Sequence, residues 1–116
     1  MATLGDLIRT YQNRTEDMLR LSCAELSALV ITRTPVDTGV LQKSWTPKKG
    51  EPDYSNRGGS VDAVTNTLEV GDTYSLGNGQ PYVGVIEYEG HSQQAPAGML
   101  RVSTAEWNDI VARNIR

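Results

Sequence analysis

The sequence predicts an α+β domain: a long N-terminal helix packed on a small, mainly antiparallel sheet, with a C-terminal helix. Three observations carry this expectation. Apolar residues recur at helical spacing from Leu4 to Val30. Two short runs with strand character, separated by Gly71-Asp72, occupy the middle of the chain. Helical spacing then returns at Trp107, Ile110 and Val111. With 116 residues and neither an internal repeat nor a low-complexity segment, the chain reads as a single domain over 1–116.

The first helix is expected over about 4–33. Leu4, Leu7, Ile8, Tyr11, Met18, Leu19, Cys23, Leu26, Leu29 and Val30 form its apolar stripe, and no Pro or Gly interrupts it after Gly5. Pro35 stops it, because the residue before a proline is driven out of helical geometry. A helix of about 30 residues spans roughly 45 Å, whereas a compact domain of this length has a radius of gyration near 13 Å by the usual scaling. Either part of the stripe meets a neighbouring subunit, or the helix starts near Thr10 and lies wholly on its own sheet.

Pro35 to Thr38 form a tight connection in which Asp37 or Thr38 can accept from free backbone N–H groups, and Gly39 removes steric objections to the turn. Val40 to Trp45 reads as a helical turn or the start of a strand, with Leu41 and Trp45 on one side. Residues 46–60 read as loop, punctuated by Pro47, Gly50, Pro52, Gly58 and Gly59. A loop of that length is functional or disordered, so it is expected to reach a partner or to order only on assembly. Tyr54, beside Arg57, is its candidate exposed contact.

Val61 to Val70 is expected as a strand with Val64, Leu68 and Val70 on one face. Gly71-Asp72 turns the chain, Thr73 to Leu76 forms a second short strand, and Gly77-Asn78-Gly79 is a turn. Tyr82 to Tyr88 suits a strand by its Val and Ile content, yet Tyr82, Val85 and Ile86 also share a helical face; both readings stand. The C-terminal helix is expected over about 103–114. Either Ser103 caps it and Glu106 completes a capping box, or Pro96 opens it earlier.

Composition excludes several functions. Hydrophobic residues make up only 38% and Phe is missing, so the core is modest and neighbouring copies become a plausible source of stability. Net charge is −3 and the pI about 5.0. The one paired basic run, Lys48-Lys49, is followed by Glu51 and Asp53, which argues against sequence-independent DNA binding. An acidic wall could still line a channel through which DNA slides. The single cysteine, Cys23, can form no disulfide within the chain and reads as a small buried residue on a helix. No signal peptide or membrane-length apolar run is visible, which predicts a protein made and assembled in a reducing cytoplasm.

Three catalytic or metal-binding readings fail on context. Asp37-Thr38-Gly39 spells the aspartic-protease triplet, but it follows a long helix and a proline instead of an apolar strand, and Val85-Ile86 is followed by Glu87 where that enzyme needs Gly. Glu87, Glu89 and His91 would share a face on a strand and could gather a metal, but Gly90 interrupts the strand and no second cluster completes the set. Gly58-Gly59 lacks the Lys-Ser/Thr of a phosphate-binding loop. No catalytic residue, cofactor or metal site is expected.

Two segments remain that read as framework: Arg33-Thr34-Pro35-Val36-Asp37-Thr38-Gly39, with Leu41 and Ser44-Trp45 behind it, and Pro81-Tyr82, Glu87, Gly90, Ser92, Gln94, Ala95-Pro96 and Gly98-Met99. Together with Glu106-Trp107 they resemble, in order, the tail-completion or neck proteins of lambda-like long-tailed phages, the group that includes minor tail protein Z. The chain departs from that pattern at Tyr88-Glu89-Gly90, where a single residue often separates Glu from Gly, and over 46–60. The resemblance implies a virion structural protein without enzymatic activity. It implies a hexameric ring at the head-proximal end of the tail, assembled in the host cytoplasm. Its neighbours would be a tail terminator or tail-tube protein and the head–tail connector, with DNA passing through the lumen. Its assembly framework would be Arg33, Pro35, Asp37, Thr38, Gly39, Trp45, Tyr82, Glu87, Gly90, Ser92, Pro96, Gly98 and Met99. A different ring of the same junction, or a homo-oligomeric binding module outside phages, are the alternative readings.

Overall fold

In a computed structural model the chain is described over residues 3–34, 39–80 and 100–115. Helix α1 runs Leu4–Arg33, as its apolar spacing predicts. Its start is fixed by a reciprocal capping box: the Asp6 amide donates to Thr3 Oγ1 (3.1 Å) and the Thr3 amide to Asp6 Oδ2 (3.0 Å). A helical turn α2 (Val40–Lys43) leads into strand β1 (Thr46–Lys49), then helix α3 (Val61–Thr65) and strand β2 (Tyr74–Gly77). Two C-terminal helices follow, α4 (Leu100–Thr104) and α5 (Trp107–Asn114).

β1 and β2 pair antiparallel with Thr46 opposite Gly77 and Lys49 opposite Tyr74. The long helix packs against this two-stranded sheet and against the C-terminal helix, so the α+β architecture holds. Val30 and Trp45, with Ile31 and Leu76 beside them, join α1 to the sheet. Leu68 and Ile110 are fully buried. Hydroxyl and amide side chains are as prominent inside as apolar ones: Ser22, Ser27, Thr34, Ser44, Thr46, Asn78 and Ser103 are all buried. Such a core depends on hydrogen bonds being met. Ser27 Oγ and Tyr74 Oη share one of 2.7 Å, and Asn78 donates to the Leu41 carbonyl at 2.8 Å.

Three expectations are corrected. Residues 61–70 form a helix followed by turns, not a strand. Ser60 caps it by accepting from the Ala63 amide (3.2 Å), and Val61, Val64, Thr65 and Leu68 share a helical face. Leu68 is buried while Val70 is 59% exposed, a difference that period-two alternation cannot produce. Second, the stretch 46–60 opens with β1 and is tied to its own chain. The Gly58 amide donates to Thr46 Oγ1 (3.0 Å) and the Gly79 amide to Asn56 Oδ1 (2.8 Å). Gly79 lies so close beneath it that a Cβ there would sit 2.2 Å from the Tyr54 carbonyl oxygen. Third, Ser103 does not cap the last helix: it lies inside α4, fully buried. Glu106 reaches α1 instead of a local amide, and the helix predicted over 103–114 begins at Trp107.

The second strand, the turn at Gly71-Asp72 (Asp72 amide to Glu69 carbonyl, 3.0 Å) and the helical alternative for Val40–Trp45 agree with the sequence reading. The turn expected at Pro35–Thr38 and the segment 82–88 lie outside the described residues, as does Pro96.

Candidate functional site

Of the expected framework residues, Arg33, Gly39 and Trp45 are described. Pro35, Asp37, Thr38, Tyr82, Glu87, Gly90, Ser92, Pro96, Gly98 and Met99 fall outside the described residues, as do Glu89 and His91. The described ones build a joint at the C-terminal end of α1. The Thr34 hydroxyl donates to the Val30 carbonyl (2.7 Å) and accepts from Trp45 Nε1 (2.8 Å). Gln42 Nε2 donates to the Ile31 carbonyl at 2.9 Å. The last carbonyls of the helix are thus met by side chains from the turn that follows. Gly39 opens α2 at φ 75°, a conformation that costs about 1–2 kcal/mol for a residue with a Cβ.

Arg33 carries the joint to the C-terminus. It donates to Ser103 Oγ (3.2 Å) and to both Glu106 oxygens (3.0 and 3.2 Å). Further along, Arg113 pairs with Glu25, while Asn114 donates to Glu25 (3.0 Å) and Ser22 (3.4 Å). Arg113 and Asn114 hold the Glu25 carboxyl below the usual carboxylate range. α5 therefore lies antiparallel along one side of α1, from Arg33 back to Ser22. Sequence reasoning placed Arg33 and Glu106 in separate motifs and missed their pairing; complementary charge at two distant motifs was the only available signal.

Beyond that cover no other described element packs on α1. Every residue from Thr3 to Thr15 is exposed, an overhang of about 18 Å. Leu4 is 74% exposed, Leu7 and Ile8 50% each, and Tyr11 65%. Positions roughly 18 apart project from the same side of a helix, about five turns on. Leu4, Leu7 and Tyr11 therefore continue the side bearing Ser22, Glu25 and Leu29, the side α5 covers further along. The helix therefore starts at Leu4 and not near Thr10, and among the described residues nothing covers its first turns.

The second uncovered apolar feature is a cleft of about 240 Å³ lined by Leu19, Cys23, Leu26, Leu68, Asp72, Tyr74 and Trp107. Burial raises the pKa of the Cys23 thiol and of the Tyr74 hydroxyl, so both are neutral at physiological pH. Asp72, at the cleft's polar edge, is held ionised by the Glu69 amide and by Lys49 (3.2 Å). Tyr54 is 63% exposed beside the Asp53–Arg57 pair, where the sequence placed an exposed contact. Among the described residues no group of three or more His, Cys, Asp or Glu side chains is arranged to hold a metal ion.

No family model matches the sequence, and neither a curated protein nor a solved structure is significantly similar to it.

Proposed function

We propose that this chain is a structural subunit of a phage virion, forming a hexameric ring at the head-proximal end of the tail and acting by assembly instead of catalysis. One observation carries the oligomeric part: the exposed apolar overhang of α1, which continues a helix-packing face past the end of its own cover. Contiguous exposed apolar surface on a soluble domain marks an interaction site. The specific assignment to tail completion or the neck rests on the motif resemblance around Arg33–Gly39 and Pro81–Met99.

The framework role proposed for the first motif is supported by the hydrogen bonds of Arg33, Thr34 and Trp45, which set the angle between long helix, sheet and C-terminal helix. In the proposed ring, subunits meet head to tail, the acidic balance keeps DNA moving through the lumen, and the 50–60 loop faces the adjoining ring or tail tube. Electron microscopy of the purified protein, alone and in particles, tests this: rings and a neck position are expected. A monomer absent from virions overturns it. The overhang equally favours a homo-oligomeric module outside phages; capsid and tail-tube genes flanking this one would exclude that reading.

A further inference from the structure

We propose that the overhang of α1 is a plug, and that its Leu4–Leu7–Ile8–Tyr11 face seats in the apolar cleft between α1, β2 and α5 of the next copy of this chain. The choice of a head-to-tail contact over a two-fold one rests on the ring reading above; the pairing of plug with cleft rests on the geometry.

Both surfaces are apolar and neither is covered by the described residues of its own chain. A cavity of about 150 Å³ accepts a benzene ring, so a cleft of about 240 Å³ has room for a whole large side chain. The plug cannot fold back into its own cleft. Leu7 and Leu19 stand on one continuous helix, twelve residues and about 18 Å apart, with no proline or glycine between them to break it. A second copy has no such constraint. One head-to-tail contact covers plug and cleft together, whereas a two-fold pairing of overhangs would leave both clefts open.

The borders also match. Arg14 flanks the plug's apolar face, and Asp72, ionised and paired at 3.2 Å with Lys49 of its own chain, stands at the cleft's edge, where Arg14 would add a second cation. Each copy then offers one plug and one cleft, so contacts propagate head to tail, into a ring where the rotation between copies closes and into an open filament where it does not.

Cys23, the chain's single cysteine, lies in the cleft wall and supplies the test. The Leu7→Cys and Tyr11→Cys variants are oxidised with copper phenanthroline and run on non-reducing gels, with linked peptides identified by mass spectrometry. The expected result is a ladder of oligomers joined through Cys23 of one copy and the new cysteine of the next, abolished by Cys23→Ser. Dimers joined only between two copies of the new cysteine, and unaffected by Cys23→Ser, overturn the proposal in favour of paired overhangs. An oligomer by sedimentation that forms no link to Cys23 from either position also overturns it and leaves the ring reading intact. A ladder without rings on the microscope grid upholds the plug and removes the ring. As a second measurement, Leu7→Glu (plug) and Leu19→Glu (cleft) proteins should each be monomeric. Mixed together they should form a one-to-one dimer through their one intact contact, and failure to do so counts against the plug.

Discussion

Thr65 shows how closely this small core is balanced. Its hydroxyl is buried and has no hydrogen-bond partner, a condition that costs about 1–3 kcal/mol. Thr65→Val keeps the shape and removes the orphaned group. It should stabilise the protein by about 1 kcal/mol, read as a melting temperature about 4 °C higher. Gly39 is the opposite case: at φ 75° Gly39→Ala should lose about 1–2 kcal/mol in urea unfolding, although the space around its Cβ is open. That turn glycine was legible in the sequence. Thr65 was not, because a threonine between Val64 and Asn66 gives no sign of whether its hydroxyl will meet a partner.

At the scale of elements, α1 is one helix with two environments. From Glu16 onward its side chains meet α3, α5 and the sheet, while the overhang depends on its own hydrogen bonds and the Thr3–Asp6 capping box. Losing a threonine cap costs about 1 kcal/mol. Because no described element of the same chain packs on the overhang, Thr3→Ala in the monomeric Leu7→Glu background should appear as faster amide exchange over the first turns while the melting temperature of the domain stays put. The α5 clamp behaves differently. Arg33 and Glu106 are 30% and 41% exposed, so their double-mutant coupling should be modest, about 0.5–1 kcal/mol. Removing Arg33 also leaves the buried Ser103 hydroxyl without that donor, so Arg33→Met should be more damaging than Glu106→Gln. Short elements were the hardest to read. Over 61–70, Val64, Leu68 and Val70 fit a strand face by period two, while Val61, Val64, Thr65 and Leu68 fit a helix by three and four. The burial of this segment against α1 and β1 chose the helix, with the Ser60 cap in support.

For the whole molecule, the consequence of the overhang is an elongated subunit of 59 × 26 × 18 Å with a radius of gyration of 16.4 Å, against about 13 Å for a compact chain of this length. Scattering from the Leu7→Glu protein should return that extended shape. The pH dependence of stability is also set by links between elements. Partners hold the carboxyls of Glu25 and Asp72 below their ordinary values of 4.5 and 3.8. A carboxylate lowered on folding adds stability above its unfolded pKa and loses it as pH falls through the folded one. The melting temperature should therefore be flat at neutral pH and begin to fall below about pH 4.5. Glu25→Gln should flatten that fall while lowering the neutral value slightly, in a calorimetric series from pH 7 to pH 3.

The long helix and its stop before Pro35, the second strand and the turns at Gly39 and Gly71-Asp72 were legible in the sequence, because spacing and backbone freedom are local properties; where the helix starts was not. Packing settled that 61–65 is helical and that Ser103 is core. It also decided that Arg33 meets Glu106, and that among the described residues the front of α1 is exposed while a cleft lies beside α5. Those outcomes depend on which surfaces the chain brings together, and a side chain's burial and partners are properties of the packing, not of its neighbours in sequence.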